Sequence, residues 1–373
     1  MRPTLSYIRA LVSVGPAFDD HWPALRVGLG VTVPVLVLLI SGHPELSIYA
    51  VFGAFTGMYG RGETHQLRLV HQAQAAAVLL TGVTIGVALS ITHIEVWGLV
   101  AIEAFLVGLG SLVADKIRLR PAGPFFGIFA LGACASIPTV IPLWTAALIC
   151  ATSALFSLLV GFAGWFRGRA WDSTSRRTHE TLSGPWLSTA GVHATRYVVA
   201  VAAAGAFGLA LGIGHAYWAM AAAAVPLAGA DLPSRVQRGV HRILGTIAGL
   251  GLTAGILLLH PSTTALVILV MVLQFPTELF MVRHYGLALI FFTPVILLMT
   301  QLANPIDPMS LLTDRWWETL LGAVVGIAVV LLIRDRRPHA VSPGSETSTS
   351  LSGFDSLQPE ALWQPQRNPG NAR

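Results

Sequence analysis

Long apolar runs separated by short polar breaks fill most of this chain. Twelve of the runs are apolar enough for membrane-spanning helices, which need about 20 residues, or somewhat fewer where helices pack among neighbours. The second and eighth runs are short and rich in small residues, so half-spans or re-entrant elements are alternatives there. The predicted spans are 25–41, 46–60, 67–92, 94–113, 122–140, 143–166, 191–213, 215–230, 236–259, 262–282, 284–302 and 310–333. The pattern predicts an all-α integral membrane protein of about twelve transmembrane helices.

Three segments fall outside these spans. Residues 1–20 have arginines on both sides of a mildly amphipathic run and are predicted to lie along the membrane surface. Residues 167–190 are predicted to form a basic cytoplasmic linker. Residues 338–373 are rich in Ser, Thr, Pro and Gly, so they are predicted to be a disordered cytoplasmic tail.

Composition agrees with a membrane protein, because 54% of the residues are hydrophobic and only 11% are charged. A soluble domain has about a quarter of its residues charged. The net charge of +5 is interpreted as the basic excess of cytoplasmic loops, and no nucleic-acid partner is predicted. Cys134 and Cys150 lie within apolar runs without the spacing of a metal site, so they are interpreted as packing residues.

The basic residues give the predicted spans an orientation. If the N-terminus is cytoplasmic, all of the 23 Lys and Arg residues except Arg315 fall on the cytoplasmic side. This is the asymmetry that the positive-inside rule describes. It predicts an even number of spans, with the N-terminus and the C-terminus both cytoplasmic, in a multi-pass protein of the plasma (inner) membrane.

The two halves of the chain resemble each other at an offset of 170 residues. Six spans in each half would insert the same way up, so the repeats are predicted to be parallel and to place a solute path between them. The first repeat is predicted over 21–166 and the second over 191–337. The pairs at this offset are Arg26 with Arg196, Arg68 with Arg238, and His71 with His241.

Three motifs in the second half resemble the fusaric acid resistance protein-like (FUSC) family. They are "YWAMAAAAVPLAG" (217–229), "RVQRGVHRILGTIAGLGLTAG" (235–255) and "DRWWETLLGAVVG" (314–326). The likeness is weaker over the rest of 20–335. The resemblance extends to aromatic acid exporters and, distantly, to plant aluminium-activated malate transporters. It implies an all-helical carrier or channel for organic anions, with two six-span units fused in one chain.

The sequence departs from that family in two ways. It lacks the large soluble domain that many exporters have between their halves. The first half has "LICATSALFSLLVG" where the second has "DRWWETLLGAVVG", and the first-half segment contains no arginine. The two halves are therefore not chemically equivalent.

Arg315 and Glu318 are the charged residues near the outer end of the last predicted span. They are three residues apart, so they share a helix face and can pair. In one interpretation, the forked guanidinium of Arg315 attracts the carboxylate of a substrate. In the other, Arg315 and Glu318 form a structural pair, with Trp316 and Trp317 as interfacial anchors. The residues leave both interpretations open.

A set of basic residues is predicted at the cytoplasmic ends of the first and third spans of each half. Gathered around an axis, they would form a vestibule that concentrates anions. The alternative is a belt of topology determinants that contact lipid headgroups. The set comprises Arg26, Arg196, Arg68, Arg238, Arg242, His71 and His241.

Glu103 is placed near the middle of the fourth span and is predicted to be the only carboxylate so deep in the chain. A carboxyl group that cycles between charged and neutral forms as access alternates is the candidate for proton coupling. Glu318 is the second candidate. The alternative for Glu103 is a neutral group hydrogen-bonded between helices, as Gln274 would be in the other half.

Glycines four residues apart predict close helix contacts. Gly245 with Gly249 and Gly322 with Gly326 give the small-xxx-small pattern of packed membrane helices.

Other classes of chemistry lack their motifs. The chain contains no GxxxxGK[ST], HExxH or GxSxG sequence, so no catalytic residue and no enzyme activity are predicted. The predicted outer histidines His43, His93, His215 and His260 occupy different loops and are interpreted as solvated. No metal and no cofactor are predicted.

Taken together, these features predict a transporter that exports organic anions, with aromatic carboxylates as one option, by proton-coupled exchange. One alternative is a passive anion channel, which needs no titratable group in mid-membrane. Another is a scaffold that recruits partners through 167–190 and 338–373. The predicted partners are the lipid bilayer and a small organic anion, and a homo-oligomer is left open.

Overall fold

The computed structural model describes residues 13–15, 20–138, 141–163, 165, 176–177, 179–180, 183–213 and 216–333. Within them the chain is all-helical, without a strand. Two short 3₁₀ helices, Pro44–Leu46 and Phe55–Met58, flank α2. The twelve α-helices are α1 (His21–Ile40), α2 (Ser47–Ala54), α3 (His65–Ile91), α4 (Val96–Lys116), α5 (Phe125–Ser136), α6 (Leu143–Phe162), α7 (Gly184–Ala210), α8 (Ala216–Leu227), α9 (Leu232–Leu257), α10 (Thr263–Met281), α11 (Tyr285–Ala303) and α12 (Pro308–Leu332).

The helices occur where the apolar runs predicted them, but not all are long enough to cross a membrane. In the described part of the chain, nine helices have the length and composition of a span. The exceptions are α2, α5 and α8, whose 12 residues at most cover about 18 Å at 1.5 Å per residue. The described residues therefore support nine full spans. The helices α2 and α8 correspond to the two runs for which half-spans were an alternative, whereas the full span expected at α5 is not supported.

Prolines explain why α5 is shorter than its apolar run. Pro124 occupies the N-cap position, and the helix ends at Ser136. Ile137 is extended, with φ −90° and ψ 125°, because the residue before a proline is disfavoured in the helical region and Pro138 follows it. Hydrophobicity alone does not reveal such a boundary.

The short helices form the centre of the bundle. Every residue of α2 and α8 is buried, and α11 is the most buried of the nine long helices. Contacts join α5 to α8 and α2 to α11. Because the surrounding long helices shield them from lipid, the ends of these short helices need not reach the membrane surface.

Helix contacts recur at an interval of six helices. In the first half α2 packs on α6, α3 on α5 and α1 on α6, and in the second half α8 packs on α12, α9 on α11 and α7 on α12. Two contacts join the halves at their edges. We call them the α4–α7 seam and the α1–α10 seam.

The predicted glycine contacts are confirmed. A Cβ on Gly245 would lie 2.5 Å from the Gly286 carbonyl oxygen, so α9 and α11 touch backbone to backbone. A Cβ on Gly326 would lie 2.5 Å from the Ala223 carbonyl oxygen, which brings α12 equally close to α8. Small residues permit this approach between membrane helices.

Many arginines lie at one end of the bundle, where α4 and α10 end and α3, α7 and α9 begin. We call this the basic end. Its loops contact one another, since Gly60 N donates to Arg120 O at 3.4 Å and Arg61 reaches Glu278 O at 2.9 Å. The tail 338–373, most of the segment 1–20 and half of the segment 167–190 lie outside the described residues.

One boundary differs from its prediction. Helix α7 begins at Gly184, so residues 184–190 are helical rather than part of a linker. The hydroxyl of Ser183 caps this helix by accepting a hydrogen bond from Trp186 N at 3.3 Å. Serine is a common N-cap residue, and the prediction missed this helix start because it used only the pattern of apolar residues.

Candidate functional site

Two buried arginines and three aromatic rings form a row between the central helices α5 and α8. We call these residues the arginine–aromatic row. The Arg315 guanidinium lies 3.6 Å from the centre of the Trp218 ring, and Trp218 lies 4.8 Å from Phe129. Phe129 stacks on Phe125 at 5.7 Å between ring centres, and the Arg242 guanidinium lies 5.9 Å from the Phe125 ring. Each arginine is within range of a cation–π contact.

Both arginines are buried and have hydrogen-bond donors that lack acceptors among the described residues. Arg315 is only 4% exposed and Arg242 only 2%. Among the described residues, Nε and Nη1 of Arg315 and Nε of Arg242 have no hydrogen-bond partner. A buried donor without a partner costs about 1–3 kcal/mol, and more when the group is charged. The row therefore presents buried positive charge whose hydrogen-bonding capacity is unfilled.

The sequence of α8 explains how Arg315 reaches Trp218. Helix α8 is rich in alanine between Ala219 and Ala224, and α12 meets this surface through Gly322 and Gly326. Close contact at the glycines holds the preceding turns of α12 against the first turn of α8. Arg315 therefore lies over the Trp218 ring.

Glu103 lies next to the same two central helices. It is 0% exposed, and neither carboxyl oxygen has a hydrogen-bond partner among the described residues. A Cβ on Gly132 of α5 would lie 2.5 Å from Glu103 Oε1 and 2.9 Å from Tyr217 Cβ on α8. The glycine leaves space for the carboxyl group. The hydrogen bond between helices, proposed as the alternative role, is not seen within the described residues.

Glu318 is also buried, one helical turn from Arg315. Arg315 is within electrostatic range of Glu318, Arg242 and Tyr217. Trp316 and Trp317 on the same turn are exposed, as expected for interfacial anchors.

In the first half, the basic residues at the basic end bind backbone. Arg26 donates to Arg61 O at 3.3 Å. Arg68 donates to Gly60 O at 3.2 Å, to Gly161 O at 2.9 Å and to Glu63 O. Anion binding by Arg26 and Arg68 stays a prediction, and this geometry gives them a structural task as well.

His71 is held in one tautomer. Its Nε2 accepts a hydrogen bond from Arg120 N at 3.0 Å, so the ring proton is on Nδ1, which faces Glu63 Oε1 at 2.9 Å. Arg177 of the linker donates to the same Glu63 oxygen at 2.6 Å. His71 is thus neutral in this arrangement, and a role for it in attracting anions stays a prediction.

The corresponding residues of the second half have different partners. Arg196 is buried and donates to Ile333 O at the end of α12, at 2.8 Å. Arg238 lies 5.7 Å from the Tyr285 ring, and His241 stacks on His284 at 4.5 Å between ring centres. Of the predicted basic set, the structure brings only Arg242 close to Arg315.

Sequence reasoning missed several residues. Glu278 is a further carboxylate with 0% exposure, close to the end of α10, and the sequence analysis did not single it out. Arg61 donates to Glu278 Oε2 at 2.9 Å, and Gln274 donates to Oε1 at 3.1 Å. A carboxylate near the end of a predicted span is a residue that sequence analysis could have singled out. Its partner Arg61 could not be predicted, because it is 217 positions away in the chain. The aromatic members of the row gave no signal, since phenylalanine is ordinary in an apolar run.

Comparisons with known proteins match part of the chain. Residues 201–329 match the family described as "Fusaric acid resistance protein-like". An uncharacterized membrane protein of Bacillus subtilis (strain 168), YvaC, is 28% identical over 149 residues, which is 40% of this chain and 24% of YvaC. The aligned region thus spans about a quarter of that relative. No solved structure matches. Trp218, Arg242 and Arg315 lie inside the segment that matches the family, whereas Glu103 and the two phenylalanines of the row lie outside it.

Proposed function

Since residues 201–329 match the fusaric acid resistance protein-like family, we propose that this multi-pass membrane protein exports organic anions. It acts as a transporter of the plasma membrane rather than as an enzyme. Protons drive the export. The solute passes between the two halves of the bundle, along the arginine–aromatic row.

The observation that carries this proposal is the state of Arg315. A guanidinium buried in a membrane protein costs several kcal/mol unless it is paired or faces a polar path. Here the Trp218 ring stabilises one face, while Nε and Nη1 have no partner among the described residues. A carboxylate oxygen accepts a charge-assisted hydrogen bond from either of these donors, so an organic anion fits the unfilled positions.

The three rings of the row support aromatic carboxylates as a substrate class. Phe125, Phe129 and Trp218 lie between two buried guanidinium groups. An aromatic ring that enters here can stack or meet these rings edge to face, at roughly 0.5–1.5 kcal/mol per pair beyond its area burial. A small aliphatic acid would gain only the contact with arginine.

The architecture that we propose has two parallel six-helix repeats, over 21–166 and 191–337. The recurrence of helix contacts at an interval of six helices supports it. We also propose that the basic end faces the cytoplasm, with both termini on that side, because basic residues are retained there. In this architecture a pseudo-twofold axis relates the two repeats. The row lies between α5 and α8, on one side of that axis, and the matching pair of helices on the other side is α11 and α2.

Glu103 is the proposed proton site. It is buried beside α5 and α8, and its oxygens have no partner within the described residues, so protonation changes its charge without breaking a hydrogen bond. Glu318, on the same helix as Arg315, is the second carboxyl group in this region. A proton on Glu103 would accompany each movement of an anion past Arg315.

The proposal is tested by flux into proteoliposomes. Radiolabelled benzoate, phenylacetate, malate and acetate are offered with and without an imposed pH gradient. Wild type should accumulate an acid against its gradient, and Glu103→Gln should lose that accumulation but keep downhill flux. Glu45→Gln, which removes an exposed carboxylate of the opposite end, should behave as wild type.

Two other outcomes would replace the proposal. Flux that follows only the gradient of the anion, and that Glu103→Gln does not change, would indicate a passive channel. No flux of any acid by a folded protein would favour the scaffold. In that case deletion of 338–373 should matter, and substitution of Arg315 or Glu103 should not.

A further inference from the structure

The two seams between the halves are each joined by charged side chains at the basic end. The α1–α10 seam contains the pair Arg61–Glu278, and the α4–α7 seam contains the pair His193–Asp115. In each pair, one member belongs to helices α1–α6 or their loops and the other to helices α7–α12. The pairs therefore link the halves rather than stabilise either half alone.

At the α1–α10 seam, the contact is buried and has several parts. Arg61 Nη1 donates to both Glu278 Oε2 and Glu278 O, each at 2.9 Å. Gln274 donates to the other carboxyl oxygen of Glu278. Backbone contacts extend the seam, because Gly15 N donates to Arg283 O at 2.9 Å and Arg283 Nε donates back to Gly15 O at 3.2 Å.

At the α4–α7 seam, the histidine lies between two oxygen atoms. His193 Nδ1 lies 2.9 Å from Asp115 Oδ2, and Nε2 lies 3.2 Å from Leu227 O. Both ring nitrogens thus face oxygen atoms, one from α4 and one from α8. The chain before α7 adds contacts here, since Glu180 N donates to Lys116 O at 2.9 Å.

The position of the row explains why these seams matter. The row lies between α5 and α8, one helix from each half, and its two arginines are buried. A solute from the basic end reaches it only if the halves separate there. Separation would leave the buried carboxylate of Glu278 without Arg61, which costs free energy. The closed arrangement is therefore favoured until water or another cation replaces Arg61.

We propose that Arg61–Glu278 and His193–Asp115 are two latches that close the basic end, and that both must separate for a solute to exchange on that side. The inference rests on the proposed transport between the halves. At the opposite end, the pair His43–Glu45 is exposed and joins neighbours in one loop. It provides a matched control.

The test measures distances across each seam by double electron–electron resonance on the full chain in nanodiscs. Cys134 and Cys150 are buried, and both are replaced by alanine so that labels attach only at new cysteines. Trp22 and Val282 are exposed at the basic ends of α1 and α10 and report on the first seam. Val113 and Leu187 are exposed on α4 and α7 and report on the second seam.

The parent chain should give one short distance at each seam. Glu278→Gln should add a longer-distance population at the α1–α10 seam, and Asp115→Asn should do so at the α4–α7 seam. Glu45→Gln should leave both distributions unchanged. Asp115 is partly exposed, so its variant remains informative if burial makes the Glu278 variant unable to fold.

The proposal is overturned if the folded variants leave both seams unchanged, or if Glu45→Gln shifts them as much. Because no substrate is needed, this result is separate from that of the flux assay. Opening in the latch variants without flux of any acid would retain the latches and reject transport. Flux in wild type, with seams that neither variant opens, would retain transport and reject the latches.

Discussion

The guanidinium of Arg315 on α12 lies 3.6 Å from the centre of the Trp218 ring on α8. The ring face attracts the cation, which helps to stabilise the charge in a buried place. Two of the guanidinium nitrogens then keep their hydrogens free of partners among the described residues. This combination of buried charge and unfilled donors distinguishes Arg315 from Arg26 and Arg68, whose donors reach backbone carbonyls.

Trp218 should set the preference for aromatic acids. Trp218→Phe keeps a ring beneath Arg315, whereas Trp218→Leu keeps bulk but removes the ring face. We expect the KM for benzoate to rise about tenfold in the leucine variant, the equivalent of about 1.4 kcal/mol, and that for acetate to change little. Initial rates of radiolabelled uptake measure both constants.

Trp97→Leu is the control for this prediction, because Trp97 is exposed on the lipid-facing side of α4. It should not alter the ratio of benzoate to acetate uptake. An unchanged ratio in Trp218→Leu would mean that the row does not contact the ring of the substrate.

Two glycines of α9 should respond to alanine in opposite directions. In Gly245→Ala, the new Cβ would lie 2.5 Å from the Gly286 carbonyl oxygen, and such overpacking costs about 1–3 kcal/mol. Gly251 is exposed and has nothing within 4 Å of the same position, so alanine there should stabilise the helix by about 0.5–1 kcal/mol. Unfolding temperatures in detergent measure both effects, and shifts of the same sign would contradict the contact between α9 and α11.

The predictability of the fold from sequence differed between its long and short helices. Apolar runs placed all twelve helices, because a lipid-facing helix must be apolar over its length. The same signal overestimated the length of α5, since a helix surrounded by protein is apolar whatever its length. Pro124 and Pro138 mark the limits of α5, but proline also occurs inside helices such as α11, so the residue type alone did not decide the boundary.

The candidate site was predictable only in part. Arg315 and Glu103 were singled out because charge is rare in apolar runs, and both lie against the central helices. The rings around Arg315 and the partner of Glu278 come from distant parts of the chain. A single sequence does not indicate which distant residues touch, so these contacts are seen only in the packed helices.

Glu63 makes the stability of the basic end depend on pH. Partial burial raises the pKa of its carboxyl, but the hydrogen bonds from His71 and Arg177 and the charge of Arg177 outweigh that effect, so the pKa lies below its ordinary value of 4.5. A carboxylate with a lowered pKa stabilises the fold above its unfolded pKa, and this contribution is lost as the pH falls through the folded pKa.

The unfolding temperature of wild type should therefore fall on acidification below about pH 4.5. That of Glu63→Gln should start lower and fall less, because glutamine has no charge to lose. Glu180→Gln, which removes a more exposed partner of Arg118, is the control and should follow wild type. Parallel curves for wild type and Glu63→Gln would contradict the assignment.

Uptake of radiolabelled benzoate by proteoliposomes that contain wild type, Arg315→Lys or Arg315→Gln tests the central claim most directly. Lysine keeps the charge but loses the fork, and Arg118→Gln serves as a matched removal of an exposed arginine. We predict uptake by wild type and Arg118→Gln, reduced uptake by Arg315→Lys, and none by Arg315→Gln. Equal uptake by all four proteins, each folded and monodisperse, would contradict a path for organic anions past Arg315.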